Sequence, residues 1–252
     1  MDIKIQHKID FELLDIIQSE LILERRSTEA MKTQVEEAVF VTEKVRHLTD
    51  STYVLRFSRN RMKFNPGQHL LLGLPGSEQL REYSIYSGIE DDYLEVLIKE
   101  VDEGVVSKQL KHIRPGDEVT VRGPYGFFLA NALPGKKGNG KLLFISSGTG
   151  IAPFHSYIRS FPDSDYRLVH GVRKMDEAYD SEDYSRERLK VCTSRDESGD
   201  FPGRLTDYLL DADPDPERSV YLCGSSSMIY DAMDILRARG IPQKQMFTEV
   251  YF

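Results

Sequence analysis

Residues 145–153 read Ile-Ser-Ser-Gly-Thr-Gly-Ile-Ala-Pro and carry an apolar strand, 142–145, straight into a glycine turn and a helix start. Gly148 and Gly150 let the backbone turn with no Cβ in the way, and Pro153 suits the first turn of the following helix. Free amides at such a helix start face an anion, so the stretch, with Thr149 at its centre, can bind phosphate. A glycine pair alone also serves packing in many α/β proteins. A second candidate is Arg81-Glu82-Tyr83-Ser84 on a strand, with Arg81 and Tyr83 on one face and Glu82 and Ser84 on the other or in a local bend. Arginine can clamp a phosphate while tyrosine lies against a flat ring. A third is Gly104-Val105-Val106-Ser107, a turn entering a helix, whose amides and hydroxyl can hold another part of a phosphate chain. Gly123 to Phe127 form a tight loop with aromatic cover or a plain hairpin end, and Cys223 is a site residue or a buried strand-end thiol.

Two kinds of element must position these residues. Between residues 36 and 130, short β-rich runs alternate with turns: 38–45, 53–57, 69–74, 83–87, 93–99 and 118–122, with one helical stretch at 105–113. Asn65-Pro66-Gly67 and Pro115-Gly116-Asp117 are turns by side-chain chemistry. This pattern predicts a small closed antiparallel barrel of six strands. Beyond it, strands at 142–146, 167–172, 189–193, 220–223 and 245–251 alternate with helices at 152–160, 204–210 and 226–239, the rhythm of a doubly wound parallel sheet. The fold class is therefore two-domain β plus α/β, dividing as 36–135 and 136–252. Residues 1–35 stand apart as an amphipathic helix built on Phe11, Leu13, Leu14, Ile17, Leu21 and Ile22. They pack on the body or on another subunit, or form an upstream extension before a start at Met31.

The chain has 252 residues and a net charge of -8, which argues against general nucleic-acid binding and leaves acidic partners to a local basic patch. No apolar run approaches the roughly 20 residues of a membrane helix and no secretory signal pattern opens the chain, so the expectation is a cytoplasmic protein. Cys192 and Cys223 are its two cysteines. Cysteine-ligated iron–sulfur clusters take about four thiolates, so electrons must pass to or from a separate molecule, and no metal site is expected.

As a set, REYS at 81–84, GVVS at 104–107, GPYGFF at 123–128, SSGTGIAP at 146–153, YLCGSSSM at 221–228 and the TEVYF end resemble the ferredoxin–NADP reductase family in order and spacing. The resemblance covers residues 36–252. It implies a barrel that binds FAD, with Arg81 on the pyrophosphate, Tyr83 against the isoalloxazine or ribityl face, Ser84 near the reactive N5 edge, and Gly104, Val105, Val106 and Ser107 completing the pyrophosphate site. It implies a nicotinamide dinucleotide site at Gly148, Thr149 and Gly150, with Thr149 where the two cofactors meet and Cys223 beside the nicotinamide C4. Ser84, Cys223 and Glu249 become positioning and proton-handling residues. Tyr251 and Phe252 resemble the aromatic that covers the flavin and moves aside for nicotinamide. Plant-type members end at the tyrosine, which leaves open which of these two rings stacks.

The 2′-phosphate of NADPH wants cationic forks and a hydroxyl, and Arg173, Ser194, Arg195 and Arg204 follow the strands where the adenosine end should lie. That favours NADP(H), while Asp176 and Asp196 keep NADH open. The leading expectation is an FAD enzyme exchanging electrons between NADPH and a one-electron carrier protein, ferredoxin or flavodoxin, docked on Arg59, Arg61, Lys63, Lys108, Lys111 and Lys136. The alternatives are an NAD(P)H reductase of free flavin, quinone or ferric chelates, and an electron-transfer subunit of a larger complex.

Overall fold

Six antiparallel strands, β1 (Glu36–His47), β2 (Thr52–Ser58), β3 (His69–Gly73), β4 (Arg81–Ser84), β5 (Tyr93–Lys99) and β6 (Glu118–Tyr125), run in the order β4-β3-β6-β1-β2-β5. The two ends of that sheet meet. An antiparallel bridge joins Ile85 to Val96, and the Tyr86 amide donates to the Glu95 carbonyl at 2.7 Å, so the predicted barrel closes. Phe40, Tyr53, Leu55, Phe57, Leu70, Leu72, Leu94, Val96, Ile98, Val119 and Val121 fill it, with Val106 and Leu110 of helix α1 (Val105–Lys111) packed into the same core. This is a computed structural model, and it describes residues 36–135 and 140–251. The segment 1–35, Lys136 and Phe252 lie outside the described residues.

The second half has six parallel strands: β7 (Lys141–Ser147), β8 (Asp165–Val172), β9 (Leu189–Thr193), β10 (Phe201–Pro202), β11 (Ser219–Ser225) and β12 (Met246–Tyr251). Their order is β10-β9-β8-β7-β11-β12. Winding starts at β7, moves outward through β8, β9 and β10, then returns to the other side of β7 with β11. The switch point of the sheet is thus between β7 and β11, where such sheets bind ligands at their carboxyl ends. Alternation along β7 builds both faces: Leu142 and Phe144 join one core with helix α2 (Ala152–Ser160), while Leu143 and Ile145 join another with α3 (Leu205–Asp211) and α4 (Ser226–Ala238). The helices and strands expected between residues 36 and 252 are all present. The two-residue strand β10 is not foreseen, because it is too short to show a period.

Strands β2 and β5 are buried on both sides, and the reason lies in how the halves meet. Tyr53, Leu55 and Phe57 point into the barrel, whereas Val54 points the other way into the core shared with Phe144, Phe154 and Tyr157; Leu97 does the same from β5. Both sheets belong to one compact unit that begins at Ala38. A polar network secures the seam. Arg46 of β1 holds the Asp180 carboxylate with two hydrogen bonds of 2.6 and 2.7 Å, and the Tyr86 hydroxyl donates to the same carboxylate at 2.8 Å. The Tyr86 ring stacks on His155 of α2 with centroids 3.7 Å apart, and the His155 ring nitrogens lie 2.7 Å from the Tyr86 carbonyl oxygen and 2.8 Å from the Asp183 carboxylate. Ser156 donates to the Ser87 carbonyl at 2.7 Å.

Asp180 accepts from two partners while only 11% exposed. Its replacement by alanine orphans a guanidinium and a phenol at once, and is expected to cost roughly 2–4 kcal/mol in urea denaturation, against about 1 kcal/mol for Tyr86→Phe, which removes one hydroxyl and keeps the stacked ring.

Candidate functional site

Where the barrel meets the sheet lies a cavity of about 640 Å³, a size suited to a cofactor. The barrel lines it with His69, Leu71, Leu80, all of Arg81 to Ser84, Leu97, Lys99, Val101, Gly104, Val106 and Ser107; the sheet contributes Thr149, Glu249, Val250 and Tyr251. Register explains the convergence. On the parallel sheet Ser146 pairs with Cys223 and Cys223 with Glu249, so these residues occupy one row at the carboxyl ends of β7, β11 and β12. On the barrel Ser84 pairs with His69 at the end of β4.

The glycines of the turn after β7 act differently. Gly148 takes a left-handed φ of +52° with open space around it, whereas a Cβ on Gly150 would stand 2.3 Å from the Cys223 carbonyl oxygen. Gly150 therefore lets this turn, residues 148–151, press against the end of β11. Thr149 consequently faces the cavity beside Cys223, and Pro153 occupies the first turn of α2 as expected.

Ser84 is the junction of the site. Its hydroxyl donates to Glu249 at 3.2 Å and accepts from the Tyr251 hydroxyl, which is also within hydrogen-bond reach of the Cys223 thiol. The four residues expected to carry the chemistry, Ser84, Cys223, Glu249 and Tyr251, thus form one linked cluster drawn from both halves. Burial pushes the Glu249 carboxyl up to about 7, well above its usual range, although the Ser84 hydrogen bond acts the other way. Burial also drives the Cys223 thiol and the Tyr251 phenol far upward, so both stay protonated at neutral pH. Tyr83 is pushed up to about 12 by burial, with Arg81 opposing.

The GVVS turn is present but narrower than expected. The Gly104 amide donates to the Val101 carbonyl at 2.9 Å, which leaves the first-turn amides of α1 at Val105 and Val106 for an anion. The Val105 side chain is exposed and outside the cavity wall; the Ser107 hydroxyl lines it. The cavity brings together tyrosine rings and aliphatic walls for a flat ring system, Arg81 and Lys99 for phosphate charge, and hydroxyl and carboxyl groups for ring heteroatoms. This donor set fits a flavin nucleotide. His69, Glu82 and Lys99 do not stand out as site residues in the sequence; His69 follows the Pro66-Gly67-Gln68 turn and Lys99 ends the strand before Gly104, and those adjacencies are the signals that mark them.

A second cluster lies at the carboxyl ends of β8 and β9. The Ser194 amide donates to the Val172 carbonyl at 3.0 Å, the Arg195 amide to the Arg173 carbonyl at 2.8 Å, and the Gly203 amide to the Thr193 carbonyl at 2.8 Å, bringing Arg204 at the start of α3 alongside. The backbone at Arg173, Ser194, Arg195 and Arg204 thus gathers at one end of the parallel sheet, away from the cavity wall. Asp196 is occupied within its loop, accepting from the Met175 amide at 3.0 Å and the Ser198 hydroxyl at 2.9 Å.

The expected docking patch changes. Arg59 is a loop anchor, donating to the carbonyls of Met62 at 2.9 Å and Ile89 at 2.7 Å and to that of Asp91. Lys111 donates to the Asp50 carbonyl at 2.6 Å and pairs with Glu100 at 2.7 Å, and Lys108 reaches the Asp102 carbonyl at 2.5 Å. Arg61 and Lys63 remain exposed. Among the described residues, no helix is long and apolar enough to cross a membrane.

Comparison with known proteins accords with this geometry. Residues 34–129 match the oxidoreductase FAD-binding domain and residues 144–234 the oxidoreductase NAD-binding domain. A ferredoxin–NADP reductase of Azotobacter vinelandii is 32% identical over 232 residues, covering 78% of this chain and 88% of that protein. The toluate 1,2-dioxygenase electron transfer component of Pseudomonas putida is 28% identical over 242 residues, covering 89% of this chain and 70% of that one. A ferredoxin NADP+ reductase structure from Neisseria gonorrhoeae, with bound FAD and NADP, superposes with a TM-score of 0.73 at 22% identity, covering 87% of this chain and all of that one, and so shares the fold. With its barrel, its parallel sheet and a cavity that suits a flavin between them, the chain belongs to the ferredoxin–NADP reductase family of FAD- and NAD(P)-dependent electron-transfer oxidoreductases.

Proposed function

We propose that the chain passes electrons between NADPH and a small one-electron carrier protein, a ferredoxin or flavodoxin, in the cytoplasm. The observation that carries this reading is the Ser84–Glu249–Tyr251 cluster, with Cys223 behind it, which joins barrel and sheet at one cavity. Bound FAD supplies the conversion between a nicotinamide's hydride and single electrons. The two cysteines among residues 1–252 are too few for an iron–sulfur cluster, so this stretch does not itself hold one as the one-electron partner.

Each residue then has a physical task. Arg81, the first-turn amides of α1 and Ser107 hold a pyrophosphate, and Tyr83 packs against a ring face. Thr149 and the row at Cys223 position a nicotinamide by shape. The neutral thiol of Cys223 offers bulk and a weak donor rather than a nucleophile. With a flavin bound, Ser84 would donate to a ring atom, and Glu249, poised near neutrality, would take or return a proton through that hydroxyl. Tyr251 lines this wall, and a ring stacked there on a bound flavin would have to move for nicotinamide to approach. Arg195, Arg204 and Ser194 favour the 2′-phosphate of NADPH. The likeness to an oxygenase electron transfer component supports a second reading, in which the carrier belongs to an oxygenase system.

The acceptor test compares kcat/KM for a ferredoxin or flavodoxin with that for free FMN, a quinone and a ferric chelate; the carrier is expected to win by more than about tenfold, a margin of roughly 1.4 kcal/mol, and a win for the small acceptors contradicts the proposal. Ser84→Ala is expected to lower turnover roughly 10- to 100-fold with FAD content unchanged, because proton handling is lost and binding is not. Glu249 holds a proton when folded that the unfolded chain releases at about 4.5, so this group makes the parent lose stability as pH rises from about 4.5 to about 7. Glu249→Gln removes that decline, a relative gain on the order of 3 kcal/mol above pH 7 in denaturant titrations, and removes the matching step from the pH profile of kcat.

A further inference from the structure

Arg173, the first of the cations assembled for an adenosine 2′-phosphate, already has a partner. Its Nε donates to Glu177 Oε1 at 2.8 Å and to Oε2 at 3.1 Å, its Nη2 also donates to Oε1, and its own amide donates to Oε2 at 3.0 Å. The Glu177 side chain is 12% exposed while that of Arg173 is 46% exposed, so the carboxylate is seated under the guanidinium and the arginine faces solvent. Burial would raise the Glu177 carboxyl, but the side chain and amide of Arg173 outweigh it, with Lys99 of the cavity wall adding to the pull, and the net direction is downward. Glu177 is therefore a fixed anion held by the side chain and amide of Arg173. By contrast, Arg195 is exposed and has no ion-pair partner among the described residues.

A 2′-phosphate brings a dianion to this cluster, whereas the free ribose diol of NADH brings no charge. A carboxylate already holding one guanidinium competes with the dianion for that fork and repels it, and leaves a neutral diol indifferent. We infer that Glu177 is a specificity-determining residue: by keeping Arg173 in a neutral pair it holds the preference for NADPH over NADH below what the cationic cluster would otherwise give. This rests on the reading of residues 173, 194, 195 and 204 as the adenosine end of the dinucleotide site.

The test uses FAD-loaded protein and two probes that differ only in the 2′-phosphate, 2′,5′-adenosine diphosphate and 5′-adenosine monophosphate, with binding measured by calorimetry. Glu177→Gln is expected to tighten the diphosphate about tenfold, the gain of one released charge-assisted contact, while moving the monophosphate less than about twofold. Glu177→Ser is measured beside it, so that the result does not hang on one replacement. Adding Arg173→Met to Glu177→Gln should return the ratio of the two affinities to that of the parent. If both probes bind and the ratio stays within about twofold of the parent in the Gln and Ser variants, the role of Glu177 is overturned and the site reading stands. If neither probe binds parent or variants, both are overturned.

Discussion

Val54 and Leu97 point out of the barrel, and their burial against the aromatic core around Phe144, Phe154 and Tyr157 is the contact on which the site depends. A barrel of this size has polar surroundings on most of its outer wall, and here two strands sacrifice that alternation to become an interface. Apolar contact is not directional, however, and by itself would allow the halves to slide. The Arg46–Asp180–Tyr86 bonds and the Tyr86–His155 stack supply direction. Tyr86 lies two residues beyond Ser84, so the network that orients the seam also orients the strand end that bears the junction hydroxyl.

At the cavity the same closure governs protonation. Bringing Ser84 onto Glu249 removes the carboxyl from water, and its pKa rises to about 7 because of that burial. A carboxyl on an open sheet edge would be ionised throughout the physiological range. The closure therefore yields a group able to exchange protons at neutral pH, while the neighbouring thiol and phenol stay neutral. The arginine cluster beyond β8 and β9 shows the opposite regime: Arg173 is half exposed, and its behaviour follows from a partner in the next turn rather than from burial.

What the sequence discloses is what is local. The turns at 104–107 and 148–150 and the strand at 81–84 announce themselves because glycine, hydroxyl and cation stand within a few residues, and the alternation of strand and helix gives the switch point that brings Thr149 to Cys223. Long-range partners leave no such trace. Asp180 looks like a surface loop residue until Arg46, 134 positions away, is folded against it, and Arg59 reads as a docking cation until its guanidinium is seen on the carbonyls of another loop. The apolar runs at 53–55 in β2 and 96–98 in β5 are visible in sequence, but an interface and a fully buried strand give the same pattern. Glu177 lies four residues from Arg173, close enough to suggest a pair, yet the grip through the backbone amide depends on the bend after β8.

The most direct measurement of the shared-cavity account is anaerobic rapid mixing of the FAD-loaded protein with NADPH carrying deuterium or hydrogen at C4, followed at the flavin absorbance. The account predicts stoichiometric bleaching with a primary isotope effect, since donor and acceptor meet with nothing between them. Protein that holds FAD but is bleached only slowly and without an isotope effect, or that cannot be loaded with FAD at all, would contradict it.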